Sequence, residues 1–193
     1  MTSNTEAAPG LVERVREILA YANPFVRLFD DEVRFPDGRR GRHVRIEPAR
    51  PGLGSVVLPV CESAVGLVRT YRYALGADQW ALPRGFSHGA DAEETARAEL
   101  REEIGATGGE FRLLGTMTPD SGLFSARVAV FLAILPERFA RPEDMREVRE
   151  VCWLPVQDVW SWVGAGRIED GFTLSALALA RAKQALPGSE SRG

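Results

Sequence analysis

Three glutamates stand at i, i+3 and i+4: Glu99, Glu102 and Glu103. On a helix this spacing crowds their carboxylates onto one patch. Like charges so placed repel unless a cation sits between them. Hard oxygen donors at this density suit Mg²⁺, with Mn²⁺ as a substitute. On spacing alone, a solvated acidic helix face is the simpler account. The surroundings argue for chemistry. Pro83-Arg84-Gly85 makes a rigid turn leaving an apolar strand, and residues 87–91 form a short polar loop with a glycine. A glycine turn leading into a helix lets backbone approach a phosphate closely.

The helix carrying the glutamates is predicted over residues 92–104. Asp91 caps it, with Glu94 three residues on, and Gly105 suits the left-handed position past its end. Ala96, Leu100 and Ile104 recur every four residues and mark the stripe it buries.

Residues 80–106, W-A-L-P-R-G-F-S-H-G-A-D-A-E-E-T-A-R-A-E-L-R-E-E-I-G-A, resemble the Nudix box, G-x5-E-x7-R-E-U-x-E-E-x-G-U, where U is a bulky aliphatic. Glu99-Leu100, Glu102-Glu103 and Gly105 match its end. Its beginning departs. Counted without a gap, the box Arg falls on Ala98, the first Glu on Ala90 and the first Gly on Arg84. With one residue deleted before the helix, Gly85 becomes the first Gly and Asp91 takes the Glu position. The shortened loop is preferred, because many family members enter the box through Pro-x-Gly. Ala98 replaces the Arg in either alignment. That departure bears on catalytic rate more than on metal binding. Arg97 and Arg101 flank it on different helix faces.

The resemblance implies metal-dependent hydrolysis of a pyrophosphate. Such a reaction needs charge neutralisation at the phosphate oxygens and an activated water. Implied metal ligands are Glu99, Glu102, Glu103 and the main-chain carbonyl of Arg84, with Glu102 and Glu103 catalytic. The base is expected on the loop before the last strand, at Glu147 in preference to Glu150; both as surface charges paired with Arg146 and Arg149 is the alternative. Substrate contacts are expected from Arg72, on the strand feeding the box, from the Arg84 side chain, and from Gly85. Solvated surface arginines are the alternative. Phe25, with Phe29 and Phe35, offers either an adenine-stacking surface or hairpin core. His43 and His88 are lone histidines; His88, in the box loop, reads as solvent-facing, with a phosphate contact as the alternative.

Over residues 25–186 the chain is similar to the ADP-ribose pyrophosphatase branch of that family. The features are an N-terminal hairpin with Pro-Asp-Gly-Arg, the strand Val68-Arg69-Thr70-Tyr71-Arg72-Tyr73, and the ending Gly166-Arg167-Ile168-Glu169-Asp170-Gly171-Phe172-Thr173-Leu174. Residues 118–125 match the branch's Ser-Pro-Gly segment only loosely. The branch implies a nucleoside-diphosphate sugar as substrate, with AMP and a sugar phosphate as products. It also implies a homodimer built through the N-terminal strands. Two alternatives stay open: a nucleotide-binding sensor on a degenerate box, and a pyrophosphatase for another dinucleotide.

The composition fits this frame. The chain has 193 residues, 45% hydrophobic and 26% charged, which suits one globular domain with a small appendage. A net charge of -3 gives no support to nucleic-acid binding. Cys61 and Cys152 lie in apolar runs and read as buried thiols. The sequence has no stretch of membrane-spanning length and no signal-like start, so a cytoplasmic location is expected.

In order, residues 1–8 are expected to fray, and 9–22 to form an amphipathic helix with Leu11, Val15, Ile18 and Leu19 on one side. Residues 25–35 and 42–46 read as strands around Pro36-Asp37-Gly38. Strands follow at 55–59, 64–73, 111–117, 127–135 and 151–154, the fourth of these central, with helices at 157–164 and 174–185. Trp153, Trp160 and Trp162 are expected to anchor the C-terminal helices. The fold class is α+β: an α/β/α sandwich with a mixed sheet, plus a small N-terminal antiparallel β unit. The boundaries are 1–50 for the extension, 51–187 for the catalytic domain and 188–193 for a disordered tail.

Overall fold

The structure is a computed structural model that describes residues 11–87, 91–143 and 145–187. The expectations for residues 1–8, His88, Ala90 and 188–193 lie outside these. Two compact units divide the chain. One is residues 1–51 with 120–126; the other is 52–119 with 127–193.

The first unit is an antiparallel sheet of β1 (Glu13–Arg16), β2 (Leu19–Ala22), β3 (Val26–Arg34) and β4 (Arg40–Pro48). β3 and β4 pair from Val26–Pro48 to Arg34–Arg40 across the expected hairpin. Gly38 has φ 84, a backbone that the Pro-Asp-Gly turn assigns to glycine. The expected helix over residues 9–22 is not formed. Residues 13–16 and 19–22 are strands on β3 instead. The helical spacing of Leu11, Val15 and Leu19 led nowhere because no core lies under them, and all three are exposed. β3 offers backbone groups along its length, and strand pairing overrode the local helical preference. Residues 120–126 belong here through Ile46, whose N–H donates to Leu123 O at 2.7 Å while its carbonyl accepts from Ser125 N–H at 3.0 Å.

The second unit is a seven-stranded mixed sheet with helices on both faces. Its strands are β5 (Gly54–Cys61), β6 (Ala64–Arg72), β7 (Ala77–Ala81), β8 (Arg84–Gly85), β9 (Glu110–Met117), β10 (Val128–Ile134) and β11 (Val148–Pro155). The main order is β11-β6-β5-β10-β9, with β5 and β10 parallel. β10 is interior, as its apolar run predicts. α1 (Ala92–Ile104) packs Ala96, Leu100 and Ile104 with Val57, Val68 and Phe131 on one face. α2 (Val156–Gly164) and α3 (Gly171–Ala182) pack Val159, Leu177 and Ala180 with Leu58, Leu67 and Leu132 on the other. Adjacent strand residues thus divide between two cores, as the pleat requires. No helix among the described residues is long and apolar enough to cross a membrane.

One detail of the sheet positions the site. β5 and β6 pair directly only at Val60–Val65 and Cys61–Ala64. Beyond these they splay. β6 continues against β7, and β5 against β8 at Ser55–Gly85 and Val56–Arg84. Arg84 and Gly85 therefore enter the opening between two central strands.

The tryptophans divide differently from expectation. Trp162 does meet Trp80 edge-to-face at 5.9 Å on the α2 and α3 side. Trp153 instead donates Nε1–H to Phe139 O at 2.7 Å and packs on the α1 side, because the pleat turns it that way. Trp160 is exposed under Arg181. Cys61 and Cys152 are free thiols, the first buried.

Candidate active site

α1 begins and ends where the sequence says it should. Asp91 accepts the Glu94 N–H at 2.8 Å. Gly105 has φ 78 and donates to Arg101 O at 2.9 Å. A Cβ there would lie 2.1 Å from Arg141 O, so glycine is required twice over. These contacts fix where the helix starts and stops; its packing on the sheet decides which glutamates turn inward.

Glu99 and Glu103, one turn apart, turn inward, with 7% and 5% of their surface exposed. Glu102 stays partly exposed, its carboxylate 3.7 Å from Arg101. The expected patch of three is a buried pair with a third charge beside it. The splayed strands meet the pair directly. Arg84 N–H donates to Glu103 Oε1 at 3.3 Å. A Cβ built on Gly85 would fall 1.9 Å from Glu99 Oε1, so the absence of a side chain there makes room for that carboxylate. Glu103 Oε2 is buried with no hydrogen-bond partner.

Burying two carboxylates together is costly. Burial, then the Glu102 charge, pushes Glu99 up to about 7. Burial, then the Glu99 charge, pushes Glu103 up to about 8. Glu147 raises both, so it faces the pair from the loop before β11. Glu150 turns elsewhere, to Arg69 at 3.2 Å. Two cations complete the cluster. Arg72, at the end of β6, feels Glu103, Glu147 and Asp170, and burial and the neighbouring Arg84 hold it below its ordinary value. Its Nε is buried and unpartnered. Arg84 lies 3.2 Å from Asp170 and 4.1 Å over the Phe172 ring.

The structure therefore brings together Glu99, Glu102, Glu103, Glu147, Arg72, Arg84 and Gly85. It places Glu150 outside this group and Phe25 in the first unit, 66% exposed. Phe29 is buried under Arg45, a core role. Arg97 is held by Glu93 at 2.7 Å and lies over Phe111. Asp170 stands outside the set expected from the sequence; its signal is an acidic residue three positions before Thr173 at a helix start.

The donor set fits a hard divalent cation. Among the described residues no three His, Cys, Asp or Glu side chains converge on one point as they stand. Mg²⁺ does not ask for that, since it commonly takes one or two carboxylates and completes its shell with water and substrate phosphate. A buried carboxylate pair with an orphaned oxygen answers that description.

A pH test follows from the two raised carboxylates. Between an ordinary value near 4.5 and about 8 the folded chain holds more protons than the unfolded one. The contribution of this pair to the stability of the metal-free protein is therefore full below about pH 4.5 and is lost as pH rises through about 7 to 8. Thermal unfolding in chelator should show Tm falling across that window. Saturating Mg²⁺ should restore it, because binding removes the unpaired charge. A flat profile in chelator would mean that the pair is not buried together.

A family model for the NUDIX domain matches residues 51–172. The ADP-ribose pyrophosphatase of Mycobacterium tuberculosis is 28% identical over 154 residues, covering 78% of this chain and 71% of that protein. The CMP-5'-(N-acetyl-N-hydroxy-3-aminopropyl)phosphonate hydrolase of Streptomyces rubellomurinus is 24% identical over 167 residues, covering 84% and 79%. A crystal structure of an ADP compounds hydrolase shares the fold at TM-score 0.78 and 15% identity, over 92% of this chain and 96% of that one. The matched residues 51–172 span the splayed strands, the glycine turn and the glutamate helix, and the chain belongs to the Nudix hydrolase family.

Proposed function

We propose that the chain is a divalent-metal-dependent pyrophosphatase that cleaves ADP-ribose or a related nucleoside-diphosphate sugar to a nucleoside monophosphate and a sugar phosphate. The observation that carries this reading is the buried pair Glu99 and Glu103, with an orphaned oxygen, facing Arg72 and Arg84. Glu99, Glu103 and the Arg84 carbonyl would hold Mg²⁺ or Mn²⁺, with Glu102 joining from the exposed side. A cation held there neutralises charge on the pyrophosphate and lowers the pKa of a water. Arg72 and Arg84 bind and orient the diphosphate. Arg72 has the freer guanidinium, since Arg84 is already held by Asp170 and lies over Phe172. Glu147 accepts the proton of the attacking water, since its charge reaches both buried glutamates. The name of the mycobacterial relative supports ADP-ribose within this class. Phe25, exposed on the first unit, is the candidate adenine platform in a homodimer formed through that unit.

A second reading, a nucleotide-binding sensor, has its own observation. Ala98 stands where the box has Arg, and Arg97 is occupied by Glu93 and Phe111.

The test is chromatography of products from ADP-ribose and a panel of nucleoside-diphosphate sugars and dinucleotides, with Mg²⁺, with Mn²⁺ and with chelator. Metal-dependent AMP from ADP-ribose supports the proposal. Cleavage of another compound keeps the class and moves the substrate. Tight binding with no cleavage favours the sensor. In the same assay Glu147→Gln should lower kcat about a hundredfold, a general-base effect, and Glu150→Gln far less. The reverse order would move the base to Glu150.

A further inference from the structure

We propose that Asp170 is a positioning residue, which holds the Arg84 guanidinium in place for a substrate phosphate; this rests on the reading of Arg84 as a phosphate contact. Asp170 is 5% exposed and uses its two oxygens differently. Oδ2 accepts from the Thr173 N–H at 2.9 Å and from the Thr173 hydroxyl at 2.7 Å. That is an N-cap of α3, and an asparagine would serve it as well. Oδ1 takes no part in the cap. It accepts from Arg84 Nη2 at 3.2 Å.

The same network fixes the chain on which Arg84 sits. The Thr173 hydroxyl has one proton, given to Asp170, so its lone pairs are free to accept. Leu82 N–H donates to it at 2.9 Å, two residues before Arg84. The turn is thus tied to α3 through its backbone at Leu82 and through its side chain at Arg84. Phe172, on the first turn of α3, lies under the guanidinium at 4.1 Å. One edge and one face of the cation are held, while Arg84 Nε remains buried and unpartnered. Asp170 also offsets the repulsion between Arg84 and Arg72. Without that charge Arg84 loses the anion that holds its Nη2, the repulsion from Arg72 is less fully offset, and Arg84 would swing toward solvent.

The experiment compares wild type, Asp170→Asn, Arg84→Ala and the double variant. Tm, kcat and KM for ADP-ribose with Mg²⁺ are measured, together with calorimetric binding of ADP as a diphosphate probe. Asp170→Asn should keep Tm within a few degrees, because Asn caps. It should raise KM about tenfold with kcat held. In the Arg84→Ala background it should add nothing further. Phe172→Leu, which spares the cap, should raise KM severalfold and covers the case in which Asp170→Asn does not fold. Unchanged KM and ADP affinity in Asp170→Asn, or in Phe172→Leu where that variant stands in, would overturn the positioning role alone. So would full additivity with Arg84→Ala. A wild type that neither cleaves ADP-ribose nor binds ADP would remove the phosphate role of Arg84, and this inference with it.

Discussion

Glu103→Gln should cut turnover about a thousandfold and at the same time raise the melting temperature of the metal-free protein. The two effects have one cause. Glu103 sits almost wholly buried beside Glu99, with one oxygen satisfied by Arg84 N–H and the other unpartnered. An amide fills the same space without a charge. It removes the repulsion that burial imposes on the pair, so unfolding in chelator at pH 8 should shift upward by a few degrees. It also removes a hard anionic donor from the site where a cation would neutralise the pyrophosphate. The kcat loss should be about a thousandfold, on the order of 4 kcal/mol of transition-state stabilisation. The gain in Tm should vanish near pH 4.5, where the wild-type carboxyl is protonated. Calorimetry at both pH values and steady-state kinetics test this together. A variant that loses both Tm and activity would make Glu103 a structural residue. One that keeps activity would remove the proposed chemistry.

Gly85→Ala should cost about a hundredfold in kcat/KM with a modest loss of stability. The backbone of Gly85 is not left-handed, so strain is not the issue. The nearest clash is with the Glu99 carboxylate: the added Cβ would meet Glu99 Oε1 at 1.9 Å, the carboxyl carbon at 2.3 Å and Oε2 at 2.7 Å. Something must shift, and the Glu99 head group lies between a packed helix and a sheet strand. Overpacking of this kind costs roughly 1–3 kcal/mol. Its functional cost is larger, because displacing a donor by an ångström degrades a site that works by position. Mn²⁺ titration followed by electron paramagnetic resonance should show weaker binding in step with the lost activity. Unaltered Mn²⁺ affinity would take Glu99 out of the donor set.

What the sequence made legible was local. Asp91 and Gly105 close α1 through hydrogen bonds and a backbone angle that depend on neighbours within five residues, and both are where the pattern puts them. Ala96, Leu100 and Ile104 form its buried stripe for the same reason. The failures are non-local. Residues 13–16 and 19–22 carry a helical spacing, but both pair with β3, residues 19–22 as the neighbouring arm of a hairpin and residues 13–16 with its far end from Glu32 to Arg34. The division of the glutamates needed the rotation of α1 against β8, which spacing alone leaves free. Glu147 and Glu150 are three residues apart and chemically alike. Glu147 lies in the turn before β11, whereas Glu150 is within the strand, opposite Arg69 of β6. Asp170 was passed over because its Arg84 partner is 86 residues away.

The connection from β9 to β10 leaves the second unit and returns to it, lending residues 120–126 to the first. The family match begins at residue 51, where the leading stretch of the first unit ends, but a cut there leaves residues 120–126 of that unit behind. Ile46 holds the backbone of Leu123 and Ser125 on both sides, so the N-terminal sheet and the interior loop share one set of hydrogen bonds. Shuffling of the first unit between relatives must carry two separate stretches of sequence at once. A lineage that trades one without the other inherits unpaired backbone at Ile46.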